Sequence, residues 1–407
     1  MAFLYINSKG TPWRKHSYSA GNTFDQCPMK YYLQKIEGWK EKDNKAAFMF
    51  GRAVENAIQW YHEHDGNKQS TLNVFIEEWA KQAANTELRY TATEKDWASL
   101  YKAGLEMLKL YFIKQPGLPI PLGGQTLFQK EAKKEVFPND PNYGEIEDAG
   151  KLDIIAYVDP NHPMLPKLEW KAEYGPLRPL IVDIKTSGQD FPEAYGIAAF
   201  DTQLRRYSWL SGIRDVALLW FVKKSHNIQK GSSVTLLEDT KTLAAGQEAI
   251  VAQIDDNDNL VLVANESMIE MMEKAQGRKE DGKEDGKLDT TKVAKQRRDE
   301  WLSQYAEIVK PELVTKQRLQ FNAGFVTEQS ANDAGEIAAR QIVNIVNAWQ
   351  RKAYPNTFGI RFPHDDKNDP FFIAFVLGDE KYKELNFTKS NEESLDDLFG
   401  DEGEPNG

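Results

Sequence analysis

Cysteine is nearly absent: Cys27 is the only one in 407 residues. A single thiol closes no internal disulfide and builds no multi-cysteine zinc or iron–sulfur site. Long apolar runs are missing too. The longest, Val216–Val222, has seven residues, against about 18 for a membrane helix. The first residues lack the basic-then-apolar build of a secretory leader. The chain therefore reads as soluble and cytoplasmic, with no membrane partner. A basic surplus is also lacking, since the formal charge is −11, and a negative total at first sight disfavours a polyanionic partner. The excess is uneven, however. Residues 390–407 hold seven acids and no base, and without them the balance is −4. Residues 1–40 carry six Lys or Arg against two acids, and residues 203–230 six against one, so local basic fields survive beneath the acidic total. What is present is ordinary: 41% hydrophobic and 28% charged residues exclude a mainly disordered or fibrous chain. The length suits two or three domains, or one large domain with insertions.

Residues 1–120 read as a helical N-terminal part. Ser19 is available to cap a short helix. Phe50, Val54, Ile58 and Tyr61 recur at helical spacing and predict an amphipathic helix around Gly51–Tyr61. Further helices fit Leu72–Leu88 and Lys95–Ile113. Pro116, Pro119 and Pro121 then punctuate the chain. Residues 121–265 read as the core, with strands over Thr126–Phe137, Ala149–Val158 and Leu180–Lys185. A helix over Gly196–Leu210 follows, then a strand over Asp215–Lys223. Small strands within 233–265 are joined by turns at Thr240–Gly246 and Asp255–Asn259. Residues 266–305 form a charged insertion, expected to be mobile in its first half, because Arg278–Glu300 has fifteen charged positions in twenty-three. Residues 306–389 are expected to pack back on the core through a helix, Ser330–Lys352, and apolar strands around Phe358–Phe362 and Phe371–Val376. Residues 390–407 read as a disordered acidic tail.

Chemistry concentrates in two strands. Gly150-Lys-Leu-Asp153 lies on one, and Asp183-Ile-Lys185 on the next. Strand residues two apart share a face, so Asp183 and Lys185 project together while Ile184 faces the core. If the strands are neighbours, Asp153 joins them. Two carboxylates beside one lysine suit metal-assisted phosphodiester hydrolysis: the acids hold hard divalent cations through oxygen, and the ammonium orients water or offsets charge in the transition state.

These strands fall in order with three further motifs: Ser19…Phe24…Cys27-Pro28…Tyr31, Gly51-Arg-Ala-Val-Glu55, and Gln203-Leu-Arg-Arg-Tyr207. The set, spread over residues 17–225, resembles the PD-(D/E)XK nuclease superfamily. It is most similar to the RecB-like branch, which includes the CRISPR-associated RecB-like exonucleases. The resemblance implies an α/β, restriction-endonuclease-like core, a mixed central sheet flanked by helices with a helical N-terminal elaboration. It also implies a role for each matching residue. Asp153, Asp183 and the carbonyl of Ile184 would ligate Mg²⁺ or Mn²⁺. Glu55, where most such members have histidine, would join them directly or through water. Lys185 would be the catalytic lysine. Gln203 and Tyr207, four apart on one helix face, would orient it and contact the DNA backbone. Arg205, Arg206 and Arg214 would add phosphate contacts. Several relatives bind an iron–sulfur cluster through a cysteine at the position of Cys27 and three more near the C-terminal end. The corresponding Ala353–Pro363 has none, so no cluster is expected.

Other features take plainer readings. His62-Glu-His64 invites a metal, yet residues two apart on a helix do not share a face, so a helix-end or surface role is expected. Asp255–Asn259 lacks the glycine and glutamate of a calcium loop and reads as a polar turn. Cys27 is expected to be small and buried. The tail's Ser394-Leu-Asp-Asp-Leu-Phe-Gly could dock on a replication or recombination protein or could simply solubilise. The expected function is a divalent-metal-dependent DNA nuclease, an exonuclease of recombination, repair or phage DNA metabolism. If phage-encoded, it would act in the host cytoplasm. The alternative is a DNA-binding subunit of a larger complex, non-catalytic or dependent on a partner for activity.

Overall fold

The computed structural model describes residues 3–6, 12–42, 45–85, 88–90, 96–168, 171, 174–191, 197–276, 292–357 and 369–389. The acidic tail, residues 277–291 of the charged insertion and the expected Phe358–Phe362 strand lie outside the described residues. In chain order the principal elements are β1 (Lys15–Ser17), α1 (Tyr18–Gln26), α2 (Ala46–Glu63), α3 (Lys68–Asn85), α4 (Trp97–Lys114), β2 (Thr126–Glu135), β3 (Glu147–Val158), β4 (Arg178–Ser187), α5 (Thr202–Ser211) and β5 (Asp215–Val222). Then come β6 (Ser233–Leu236), β7 (Glu248–Ile254), β8 (Leu260–Val263), α6 (Glu266–Gln276), α7 (Lys292–Tyr305), β9 (Glu307–Val309), β10 (Val314–Thr315), β11 (Arg318–Phe325) and α8 (Glu328–Arg351).

A mixed sheet of six strands organises the chain. β11 and β5 are antiparallel, β5 and β4 parallel, and β4 and β3 antiparallel. β2 runs antiparallel along one edge of β3, and β1 joins β3 in parallel. Helices cover both faces, because the central strands are apolar on both sides. α2, α3 and α4 bury Phe50, Trp79, Met107 and Tyr111 against Ile154, Val182 and Leu219. α5 buries Leu204, Tyr207 and Leu210 against Ile181 and Val216 on the other face. This is the mixed α/β architecture expected from the sequence.

Between the adjacent strands β5 and β11 the chain makes an excursion into a second sheet, ordered β9-β8-β7-β6-β10 and wholly antiparallel. Its own core includes Val234, Leu236, Val251 and Leu262, and α6 and α7 close it with Met272 and Trp301. The polar turn between β7 and β8 is built as expected: Asp255 Oδ1 accepts from the backbone of Asn257 and Asn259. β11 was not legible in advance, because Arg318–Phe325 reads as an edge strand of mixed polarity, and only its eight-residue pairing with β5 places it in the main sheet.

Three local readings are corrected. Ser17, not Ser19, caps α1, its side chain accepting from the Ala20 N–H. The helix expected over Gly196–Leu210 is two, Ile197–Phe200 and α5, because the Asp201 carboxylate caps the Leu204 N–H and restarts the helix. Phe371–Val376 is helical, with a π-helical turn over Phe372–Val376. It still ties the two ends of the chain together, since Phe371 and Ala374 pack with Leu33.

His62 lies in the last turn of α2, the helix-end place expected, but on its buried side rather than at the surface. It is buried, with Nδ1 donating to the Pro121 carbonyl at 2.9 Å and Nε2 accepting from the Tyr111 hydroxyl at 2.7 Å. His64, at the C-terminal cap of α2, stacks on Trp60. Burial pulls the His62 imidazole down to about 4. Its folded value is below its unfolded one, so the unfolded chain binds the proton first, and the stability His62 contributes is lost as pH falls from about 6.5 towards 4. Over that window we expect the wild type to lose about 3 kcal/mol of stability relative to His62→Gln, read as the difference between their urea unfolding free energies.

Candidate active site

The site lies where the main sheet splits. β2 occupies one edge of β3 through most of its length. On the other edge, β1 pairs with Glu147–Ala149 and β4 with Ile154–Val158. Residues 150–153 between them have no strand partner on that side, and these are the Gly-x-x-Asp motif. The ladder between β3 and β4 ends at Ile154 opposite Val182. One step further the register sets Asp153 opposite Asp183. There the Ile184 N–H is taken by Asp153 Oδ2 at 2.9 Å instead of by a backbone carbonyl. On β2, Gln129 faces the same level with φ +51°, outside the strand region. The pleat changes hands at that level: Leu152 packs with α5, and Ile154 with the helices of the opposite face.

Around this break the expected residues converge. Lys185 Nζ lies 2.8 Å from Asp183 Oδ2 as an ion pair, and donates to Gln203 Oε1 at 3.1 Å. Gln203 Nε2 in turn donates to the Tyr207 hydroxyl at 2.7 Å. Tyr207 is buried, so it serves as a positioning residue for Gln203. From α2, Glu55 approaches and accepts from Gln129 Nε2. Burial pushes the Asp153 carboxyl up to about 7, with repulsion from Glu55 adding to it. Burial does the same to Asp183, also to about 7. For Lys185 burial acts in the opposite sense, but Asp183 and Asp153 outweigh it and keep the ammonium charged. Gln129, and Asp201 whose charge reaches both Asp183 and Lys185, were not foreseen. Asp201 had a readable signal as an acid opening a helix, whereas nothing in the sequence marks Gln129.

Two motif glycines have steric reasons. A Cβ on Gly51 would stand 3.1 Å from Thr186 Oγ1, so its absence lets α2 carry Glu55 close to β4. A Cβ on Gly150 would meet the Tyr207 ring at 2.7 Å, closer than van der Waals contact allows. Gly150→Ala should therefore displace Tyr207 and slacken its hold on Gln203. We expect a stability loss of about 1–3 kcal/mol, together with a lower single-turnover rate at saturating DNA; urea unfolding and quench-flow assays read the two.

The arginines depart from expectation. Arg206 is 2% exposed and belongs to a buried network. It pairs with both oxygens of Asp148, donates to Gln341 Oε1 at 3.0 Å, and adjoins His16. It has no access to phosphate. Arg205 spends its guanidinium on the Ser330 carbonyl, joining α5 to α8. Arg214 lies beyond the C-terminal end of α5, a ten-residue helix of about 15 Å, whereas Gln203 is in the first turn. Arg205 and Arg206, expected to contact phosphate, are instead drawn against α8 through Ser330 and Gln341.

The donor set fits a hard divalent cation. The buried Asp183 carboxylate pairs with Lys185 through Oδ2, its Oδ1 has no hydrogen-bond partner, and carboxylate oxygens are the ligands Mg²⁺ and Mn²⁺ take. Among the described residues, no three His, Cys, Asp or Glu side chains are drawn together as a ready cluster. Glu55 stands apart, engaged by Gln129. A cavity of about 800 Å³ opens onto Asp153, Glu55, Gln129, Gln203 and Tyr207.

Residues 15–160 match the family model of the PD-(D/E)XK nuclease superfamily. The match runs from β1 through β3 and includes Glu55 and Asp153. Beyond the matched stretch, β4, α5 and β5 complete the mixed α/β core. No curated protein matches the chain. One similar solved structure, "Crystal structure of SSO0001", is 13% identical, over 49% of this chain and 69% of that one. Its TM-score of 0.18 carries no argument. Among the described residues no helix is long and apolar enough to cross a membrane.

Proposed function

We propose that this protein is a divalent-metal-dependent deoxyribonuclease of the RecB-like branch, acting as an exonuclease in recombination, repair or phage DNA metabolism. The carrying observation is Asp183: a buried carboxylate whose Oδ1 has no hydrogen-bond partner, opposite Asp153 and paired through Oδ2 with a lysine that also donates to Gln203. A buried charge in that state is costly unless a cation answers it. Asp153, Asp183 and the Ile184 carbonyl would hold Mg²⁺ or Mn²⁺, with Glu55 joining once Gln129 releases it. Such an ion would supply Lewis-acid stabilisation of charge at the scissile phosphate and a more acidic water. Lys185 then directs its remaining N–H donors towards the attacking water or a phosphate oxygen, while Gln203 and Tyr207 hold its direction.

End-labelled single- and double-stranded DNA, incubated with Mg²⁺, Mn²⁺ or EDTA, tests this. Metal-dependent cleavage releasing nucleotides from one end is expected. Cleavage only when lysate is added would favour the partner-dependent subunit, and none under any condition would refute the nuclease.

A further inference from the structure

Gln129 stands inside a strand in a conformation that strands do not use. Four other non-glycine residues among those described have a positive φ: Asp65, Asn139, Asp258 and Lys352. Each of these sits in a turn or at the end of a helix. Gln129, at +51°, lies within β2 between Phe128 and Lys130, which keep their register with Ile154 and Leu152. This one left-handed residue has a visible result. Phe128 packs in the cluster of α2, α3 and α4, and Ala132 in that of α5, although strand residues four apart otherwise share a face. β2 therefore changes hands at Gln129, opposite the place where β3 does.

That reversal accounts for the backbone but not for the side chain. Glycine adopts a positive φ freely, and asparagine or aspartate adopts it more readily than glutamine does. What glutamine brings, and those residues lack, is an amide with the reach of two methylenes. Its Nε2 donates to Glu55 Oε1, across from β2 to α2. Both side chains line the cavity that opens onto Asp153. Lys35, Arg52 and Lys151 line it too, and their field acts on Glu55 whichever uncharged residue stands at 129. Among the described residues, Glu55, Asp153 and Asp183 are not drawn together as a cluster. Glu55 must therefore move to share an ion with the two aspartates. Gln129 is tied to the strand by its backbone, so the hydrogen bond between them opposes that move.

We propose that Gln129 is a positioning residue that holds Glu55 off the ion site, so that the site takes up a divalent cation only by breaking that hydrogen bond. The inference rests on the metal-dependent nuclease reading above, and its test separates the two. Mn²⁺ binding to the full chain, without DNA, is measured by isothermal titration calorimetry. Wild type is compared with Gln129→Met, which keeps the side chain's length and loses the donor, and with Gln129→Gly, which also relieves the backbone. Both variants should bind Mn²⁺ about tenfold more tightly, the strength of one hydrogen bond to a charged group. In a Glu55→Ala background the same substitutions should change affinity by less than about twofold, because the effect passes through Glu55. A merely structural role would not show that dependence. Unchanged binding in either variant would overturn the inference. So would weaker binding, which would make Gln129 a support for Glu55 as a ligand, and so would an equal gain in the Glu55→Ala background. Asp183→Asn separates the readings. If it abolishes Mn²⁺ binding while the Gln129 variants match wild type, the holding role alone is refuted. Mn²⁺ binding indifferent to Asp183, or none by the wild type, refutes the ion site on which both readings stand.

Discussion

Asp183→Asn is expected to abolish metal-dependent cleavage while leaving the metal-free protein as stable as the wild type, or more so. The two halves come from one fact. Asp183 is 1% exposed; Lys185 meets its Oδ2 at 2.8 Å, and its Oδ1 has no hydrogen-bond partner. Without a cation it is a desolvated charge answered only by Lys185, whose side chain is 34% exposed, and neutralising such a charge relieves the fold. With a cation it is a ligand, and losing it removes several kcal/mol of transition-state stabilisation, a rate loss of at least about 10³-fold. Single-turnover cleavage and thermal unfolding in EDTA measure the two effects. A structural ion pair would give the opposite result, with unfolding at lower temperature and cleavage little changed.

Arg206→Ala should give the largest loss of stability. Arg206, Asp148, His16 and Gln341 join α5, β3, β1 and α8 in one buried polar network. Removing the guanidinium strands a buried carboxylate whose remaining partner is His16, which typically costs about 3–5 kcal/mol. Urea unfolding measures this. Joint replacement by apolar residues, Arg206→Met with Asp148→Leu, should recover much of the loss, because the penalty is the unpaired charge rather than the missing pair. DNA binding gives an independent check. A lost phosphate contact would reduce the slope of log affinity against log salt by about 0.7–0.9, and we expect no change.

The constellation itself was legible because it is local. Asp183 and Lys185 share a face through strand periodicity alone, and Gln203 and Tyr207 share one through helix periodicity. The apolar runs marked β4 and β5, whose central residues are buried on both faces, whereas β3 buries mainly alternate positions. Other features depended on partners far along the chain. Arg206 reads as an exposed helix cation until α8 brings Gln341, 135 residues on, against it. Gln129 carries no signal at all, since its conformation is set by the level at which three strands part. β11 reads as surface until β5 pairs with it. The sequence by itself determined which residues could do chemistry, because strand and helix periods fix which side chains point together. Only the tertiary structure decided where that chemistry happens. A strand has two edges, and the stretch 150–153 is left open on one of them by the separate docking of β1 and β4, an arrangement of long-range backbone pairing that no local period encodes.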